Sequence, residues 1–471
     1  MKVLYQYMAL LITCVLLCTG CEKYLDVQPK GKQLLVTASD YDLWLNSEIL
    51  TYETNAFVTV RFTDLYDVYP FNLMSSSASD LEYRWAPQFN DAATTPDIWS
   101  GFYASIYYYN TVINGIDDVK DASSQRKQSL KAEALLGRAF EYFYLVNLYG
   151  KPYNPATAAQ DLAVPFVQSS DIVTDVPPRS TVQDMYNHII ADLKQAVTAL
   201  PEDNVLNRFR GSVAAANSML ARTYFYMGDY ANAQKYAELA LTAPSLGMID
   251  YNTGITSPSA YPNWPLLATR KDVIFARGAG SKSTVATIPI PLSYYNSFAS
   301  GDLRFYFIKD NRKPTLSLNP KRGTINYVMA YPSFANNTGN GNNANIGPSV
   351  SEMKLIIAEA AARSGDITTA LQQLDDVRKN RFDTTSYQKF ISDDKVVVLN
   401  KVLDERTFEL PFVGLRWLDM RRLNAEGKMP AVQRYDNTNT VFATLNPNDP
   451  RYVLQIPLNV LRYNPNMPQN P

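Results

Sequence analysis

The stretch Ser351-Glu-Met-Lys-Leu-Ile-Ile-Ala-Glu-Ala-Ala-Ala-Arg-Ser-Gly-Asp-Ile-Thr-Thr-Ala-Leu-Gln-Gln-Leu-Asp-Asp-Val-Arg-Lys-Asn380 reads as two helices meeting at Gly365-Asp366. Met353, Ile356, Ile357, Ala360 and Ala361 share one face of the first helix at steps of three and four. Ala370, Leu371, Leu374 and Val377 do the same in the second. Gly365 suits the residue just past the first helix, since it takes positive φ without a Cβ clash. The pattern predicts a helical hairpin with small residues where the two helices meet.

The pattern recurs at Val213–Leu241, where the break is Gly228-Asp229. Aligning Gly228 with Gly365 sets Leu220 on Ile357, Ala221 on Ala358, Ala233 on Ala370 and Ala240 on Val377. These offsets match a tetratricopeptide unit, whose period is about 34 residues. Such units bury a face only by stacking on neighbours, so further hairpins are expected. Ser129–Tyr149, with its stripe Leu135, Ala139, Phe143 and Val146, and Thr181–Leu200 read as one more pair split by a long loop. Trp99–Ile116 and Asp40–Leu50 read as further helices. The predicted fold is mainly α, a tetratricopeptide-like scaffold over about 99–241 and 349–425. Two loop-rich excursions interrupt it, about 51–98 and 243–348. The second holds the short β-like runs Val273–Ala276, Thr287–Pro289 and Thr324–Met329.

At 471 residues the chain is long enough for several ordinary domains or for one large one with excursions. A formal charge of −1 gives no electrostatic case for nucleic acid. A single histidine, His188, excludes multi-histidine metal sites, and no metal or cofactor is expected. Asn336–Gly347 could be imagined to bind calcium, but it lacks clustered carboxylates. Aromatics make up 12 % of the chain, with 32 tyrosines, which suits both ligand surfaces and helix packing. Cys14, Cys18 and Cys21 all lie at the amino end, so no disulfide framework is expected in the body.

Lys2, the apolar run Met8–Leu17 and the small pair Thr19-Gly20 before Cys21 form a signal peptide over residues 1–20. The run is short for a spanning helix. Thr19-Gly20-Cys21 resembles a bacterial lipobox, with Cys18 where Leu is usual. That resemblance implies cleavage before Cys21 and acylation of its thiol. Each buried acyl methylene contributes about 0.8 kcal/mol to membrane anchoring.

The mature start, Cys21-Glu-Lys-Tyr-Leu-Asp-Val-Gln-Pro29, is similar to that of the SusD/RagB family of outer-membrane lipoproteins. So are the Trp99, Tyr103, Ile106, Asn110 helix and the block from Lys131 to Gly150. The most specific match is Glu405-Arg-Thr-Phe-Glu-Leu-Pro-Phe-Val-Gly-Leu-Arg-Trp-Leu-Asp-Met-Arg-Arg422, which departs from the family at Val413, where Glu is usual. The end, Leu454-Gln-Ile-Pro457 to Pro471, resembles the family's without its Gly-Tyr. The resemblance covers most of the chain and implies a single SusD-like domain over 21–471. It also implies a surface lipoprotein that binds oligosaccharide and passes it to a SusC-like TonB-dependent transporter. A RagB-like peptide-binding subunit is the alternative, with a lipid-anchored glycoside hydrolase behind it.

Glu405, Arg406, Glu409, Arg416, Trp417, Asp419 and Arg421 are expected to bind elements together, since arginine–carboxylate pairs of this kind join helices. A hydrolase would instead need two carboxyls about 5 Å or about 6.5–9.5 Å apart around a bound sugar. No phosphate loop, Gly-x-Ser-x-Gly or His-Glu-x2-His is present. Sugar contacts are expected from the excursions, at Asp80, Tyr83, Arg84 and Trp85 in the first and Trp264, Tyr294, Tyr295 and Tyr331 in the second. Aromatic faces would stack on the sugar and polar neighbours would take its hydroxyls.

Overall fold

A computed structural model describes residues 35–67, 76–171, 176–254, 265–279, 287–305, 324–328, 344–436 and 440–471. Residues 1–20, the expected signal peptide, and Cys21, Trp264 and Tyr331 lie outside them.

The chain opens with α1 (Ala38–Leu45), capped by Thr37 and Asp40 in a reciprocal box. The single helix expected over Asp40–Leu50 is broken, and a separate turn, Glu48–Thr51, follows Ser47. Next come α2 (Ala78–Tyr83), α3 (Asp97–Gly115) and α4 (Ser124–Tyr149). After the hairpin strands β1 (Leu162–Pro165) and β2 (Arg179–Thr181), α5 (Val182–Val197) returns along α4. The pair α6 (Val213–Met227) and α7 (Tyr230–Ala240) stacks on it. β3 (Thr287–Pro291) pairs antiparallel with β4 (Thr324–Val328), Thr287 opposite Val328. Then α8 (Val350–Ser364) and α9 (Ile367–Arg378) form the hairpin read first from the sequence. α10 (Lys395–Glu409) and α11 (Arg416–Ala425) close the helical stack. β5 (Val432–Tyr435) and β6 (Val441–Leu445) make a last antiparallel pair, Val432 opposite Leu445.

The two Gly-Asp breaks do two jobs. Gly228 (φ 78°) and Gly365 (φ 94°) end α6 and α8 in the left-handed region. Asp229 and Asp366 then accept from Asn232 N and Thr369 N, capping α7 and α9. A different constraint acts at Gly137, where an added Cβ would lie 2.1 Å from the Tyr109 ring, so α3 and α4 cross at van der Waals distance.

The buried surface of α4 is wider than one stripe. Ala134 to Tyr149 is buried without a break. α3, α5 and α6 cover three sides, and Phe275 and Ile346 of the second excursion reach the remaining one. A helix covered all round is a core helix. The second excursion is therefore not all loop. Val273 makes a single bridge to Ser349 in place of the expected strand, and Val273–Ala276 is fully buried. Gly278–Ala279 pairs parallel with Tyr52–Glu53, tying the two excursions together.

The Glu405–Arg422 block is a clasp, with partners farther away than its own spacing suggested. Glu405 sits between Arg304 (2.6 Å) and Arg378 (2.7 Å), and Glu409 between Arg381 (2.8 Å) and Arg304 (3.2 Å). Arg406 pairs with Asp419 at 2.8 Å, while Arg422 holds Asp419 and Glu359. Arg416 reaches back to Asp64 through two bonds of 2.8 and 2.6 Å. Arg421 donates to the carbonyls of Tyr452 and Gly150, and Trp417 is fully buried between Phe62 and Tyr452. Burial works to raise the Glu405 carboxyl, but Arg304 and Arg378 outweigh it and hold the group below its ordinary range.

Candidate functional site

A cleft of about 420 Å³ opens where three segments meet. Asp64, Tyr66, Asp67 and Tyr83 come from the first excursion, Pro291 and Ser293 from the second, and Pro430–Tyr435 from β5 and its approach. β5 alternates as a half-buried strand must. Val432 and Arg434 point inward, and Gln433 and Tyr435 outward. On that outer side Tyr435 Oη donates to Gln433 Oε1 at 2.8 Å, so ring and amide stand together.

Arg434 sets the shape of the first wall. It is 3 % exposed, and its guanidinium donates to the carbonyls of Tyr83 (3.0 Å), Tyr66 (2.7 Å), Thr63 (2.9 Å) and Arg61 (3.3 Å). The rings of Tyr83 and Trp85 flank it, each centroid 4.3 Å away. Burial pulls its pKa down, against the opposing charges of Tyr83, Asp67 and Asp64. Arg416 does for the floor what Arg434 does for the wall, through its paired bonds to Asp64 and a 3.0 Å bond from Nη1 to Thr407 Oγ1.

The sequence-predicted contacts fall differently from expectation. Tyr83 lines the cleft, but its ring is 1 % exposed and its hydroxyl donates to Asp67. Trp85 is a core residue at 3 % exposure, with its indole N–H on Phe62 O at 2.9 Å. It holds φ 53°, a conformation that non-glycine residues rarely adopt, so the backbone there is strained to seat the ring. A smaller apolar cavity of about 190 Å³ lies beside Trp85, walled by Phe62, Phe89 and Leu454. Tyr294 is a correction of the same kind. Its ring lies among Phe298, Phe408 and Phe412, and its hydroxyl reaches Thr407 O. Burial drives that hydroxyl's pKa up, since a charged phenolate is disfavoured among packed rings. Aromatic residues in a polar loop had pointed to a ligand surface, but packing around Arg434 and α10 accounts for these three. Ser77 caps α2 by accepting from Asp80 N, and the Asp80 carboxylate accepts in turn from the Ser77 hydroxyl; Arg84 is half-buried, and Tyr295 is half-buried against Phe305. None of Asp80, Arg84 and Tyr295 lines the cleft.

Sequence reasoning missed Gln433, Arg434 and Tyr435 altogether. The period-two pattern Val432-Gln-Arg-Tyr435 was the available signal for a half-buried strand. Neither Glu405 nor Glu409 lines the cleft, and each is clamped by arginines in the core. Among the described residues no group of three or more His, Cys, Asp or Glu could hold a metal ion. No described helix is long and apolar enough to cross a membrane.

Residues 23–225 match the family model described as "Starch-binding associating with outer membrane", and residues 303–471 match that of the SusD family. The chain is 24 % identical over 477 residues to SusD-like protein P2 of Formosa agariphila, covering 89 % of this chain and 90 % of that one. A SusD-like protein of Bacteroides ovatus is 27 % identical over 232 residues, 47 % of this chain and 39 % of its own. Among solved structures, a SusD superfamily protein from Bacteroides thetaiotaomicron superposes with a TM-score of 0.74 at 22 % identity, covering 93 % of this chain and 100 % of that one. Surface glycan-binding protein A from Bacteroides uniformis gives 0.68 at 16 % identity, covering 92 % and 99 %. With the paired-helix scaffold, the Glu405–Arg422 clasp and two family models that together span most of the sequence, this chain belongs to the SusD/RagB family.

Proposed function

We propose that this protein is a lipoprotein acylated at Cys21 and exposed on the outer-membrane surface. It captures an oligosaccharide in the cleft between Asp64–Asp67, Ser293 and β5 and hands it, unaltered, to a TonB-dependent transporter. The observation that carries the reading is the chemistry of the cleft lining. The outward ring of Tyr435 offers an apolar face, while the Gln433 amide, the Ser293 hydroxyl and the Asp64 and Asp67 carboxylates offer bonds to hydroxyls. The family description, with its starch binding and outer membrane, supports the same reading. The reading includes no chemistry: Glu405 and Glu409 are held in the clasp, and in the cleft Asp64 is held by Arg416 and Asp67 accepts from the Tyr83 hydroxyl.

Isothermal calorimetry of the full chain against a panel of defined oligosaccharides, with chromatography of the mixtures afterwards, tests this. The reading expects heat from at least one glycan, no cleavage products, and at least tenfold weaker binding in Tyr435→Ala and Gln433→Ala. Cleavage products, or undiminished binding in both variants, would refute it. Heat from peptide mixtures alone would move the ligand to the peptide class.

A further inference from the structure

The charges around the cleft beside β5 are not presented alike. Asp64, Asp67 and Arg434 all line it. Arg434 belongs to the inward register of β5, opposite to that of Gln433 and Tyr435. Its guanidinium is spent on the carbonyls of Tyr83, Tyr66, Thr63 and Arg61, between the Tyr83 and Trp85 rings. Arg416 is spent in the same way, with two bonds to Asp64 and one to Thr407 Oγ1, and it is not among the lining residues. Among the described residues no lysine lines the cleft.

The remaining polar lining is two carboxylates, the Ser293 hydroxyl, the Gln433 amide and the Tyr435 phenol. Asp67 accepts from the Tyr83 hydroxyl, and Tyr435 gives its proton to Gln433. Cations are therefore held behind the wall, and acceptors stand in front of it.

This arrangement treats two kinds of sugar differently. A neutral sugar hydroxyl both donates and accepts, so it can give its proton to a carboxylate or an amide oxygen and take one from an amide N–H. A uronic carboxylate or a sulfate ester only accepts. In this cleft it would meet Asp64 and Asp67 as like charges, with neutral donors alone to receive it. Removing an ion from water is costly unless an opposite charge takes the place of the lost hydration, and both arginines are already engaged. Like charges brought together across a binding surface add to that cost and exclude the wrong ligand.

We infer that the cleft selects neutral oligosaccharides and discriminates against those that carry carboxylate or sulfate groups. Asp67 and the inward register of Arg434 set the preference. The inference rests on the oligosaccharide reading of the same cleft and narrows it to one chemical class.

The test is calorimetry of the full chain against gluco-, galacto- and manno-oligosaccharides. Each is measured beside counterparts whose primary hydroxyls have been oxidised to carboxylates or sulfated. Linkage and length are the same within each set, so the comparison reports on the added charge. The expected result is at least tenfold weaker binding of the acidic forms wherever the neutral form binds. Ala431→Lys places a cation at an exposed position of the lining and should raise the acidic-to-neutral affinity ratio at least tenfold. An acidic form that binds as tightly as its neutral parent would overturn the inference and leave the oligosaccharide reading standing. Acidic binding no stronger in Ala431→Lys than in the wild type would do the same. If no sugar of either kind gives heat, or if neutral binding is undiminished in both Tyr435→Ala and Gln433→Ala, the oligosaccharide reading of the cleft fails and the inference falls with it.

Discussion

Arg434→Met separates the wall of the proposed glycan cleft from the cleft's own contacts. Methionine keeps an apolar stem of similar length but removes every donor. Four carbonyls lose their partner. The bonds to Thr63 and Tyr83 are buried, and those to Tyr66 and Arg61 are only partly so. Water can replace the partly buried pair at little cost. The buried pair stays unsatisfied at about 1–3 kcal/mol for each carbonyl. Loss of the guanidinium from between Tyr83 and Trp85 adds about 0.5–2 kcal/mol. Relief from burying a charge without a direct carboxylate partner works the other way. The net expectation is about 3 kcal/mol of destabilisation, read as a fall in the urea unfolding midpoint. Glycan affinity should fall as well, because the carbonyls Arg434 holds belong to the segment carrying Asp64, Tyr66 and Asp67. Arg434→Lys keeps the charge but cannot span four acceptors, so it should recover only part of both losses. An Arg434→Met protein with wild-type stability and wild-type affinity would show that the wall is set by something else.

Trp85→Ala and Tyr294→Ala should act on stability first, each by about 3–5 kcal/mol, since both rings are core groups; thermal melting against glycan calorimetry separates this from direct ligand contact. Gly365→Val should cost about 1–2 kcal/mol in urea unfolding, for purely backbone reasons: φ is 94° and no atom lies within 4 Å of an added Cβ. Cys21→Ala should release the protein from the membrane fraction, and unchanged retention would remove the lipid anchor from the proposal. Glu405→Gln breaks a buried pair and should cost about 3–5 kcal/mol at pH 7. The folded-state pKa of Glu405 is depressed, so its stabilisation is complete above about pH 4.3 and is lost as pH falls through the lowered value; the gap between variant and wild type should therefore narrow in urea titrations below pH 4.

The helix pairs were legible because their determinants are local. A stripe at steps of three and four, a glycine that ends one helix and an aspartate that starts the next all lie within one short window, and α6/α7 and α8/α9 appear where those signals stand. The cleft was not legible for the opposite reason. Arg434 meets its carbonyl partners at sequence separations of 351 to 373 residues, and Arg416 meets Asp64 across 352. No periodicity reports on such a pair. An aromatic residue in a polar loop gives the same local signal whether it faces a sugar or a guanidinium, which is why Tyr83 and Trp85 were read as ligand contacts.

The placement of those arginines bears on where binding can occur. The described parts of the excursions are built of short elements joined by irregular segments, so carbonyls at their ends and joints need donors from elsewhere. Arg434 supplies them for Arg61–Tyr83. This clip buries its arginine together with the Tyr83 and Trp85 rings that flank it. Those aromatic residues are then a property of the clip, and side chains able to meet a ligand must be those the clip leaves on the solvent side. At the cleft, beside the Asp64 and Asp67 carboxylates, these are Tyr435, Gln433 and Ser293, none of which stands out by composition. Exchanging them should alter which sugar binds at little cost to the fold, whereas exchanging Arg434, Tyr83 or Trp85 should weaken the fold whatever the sugar.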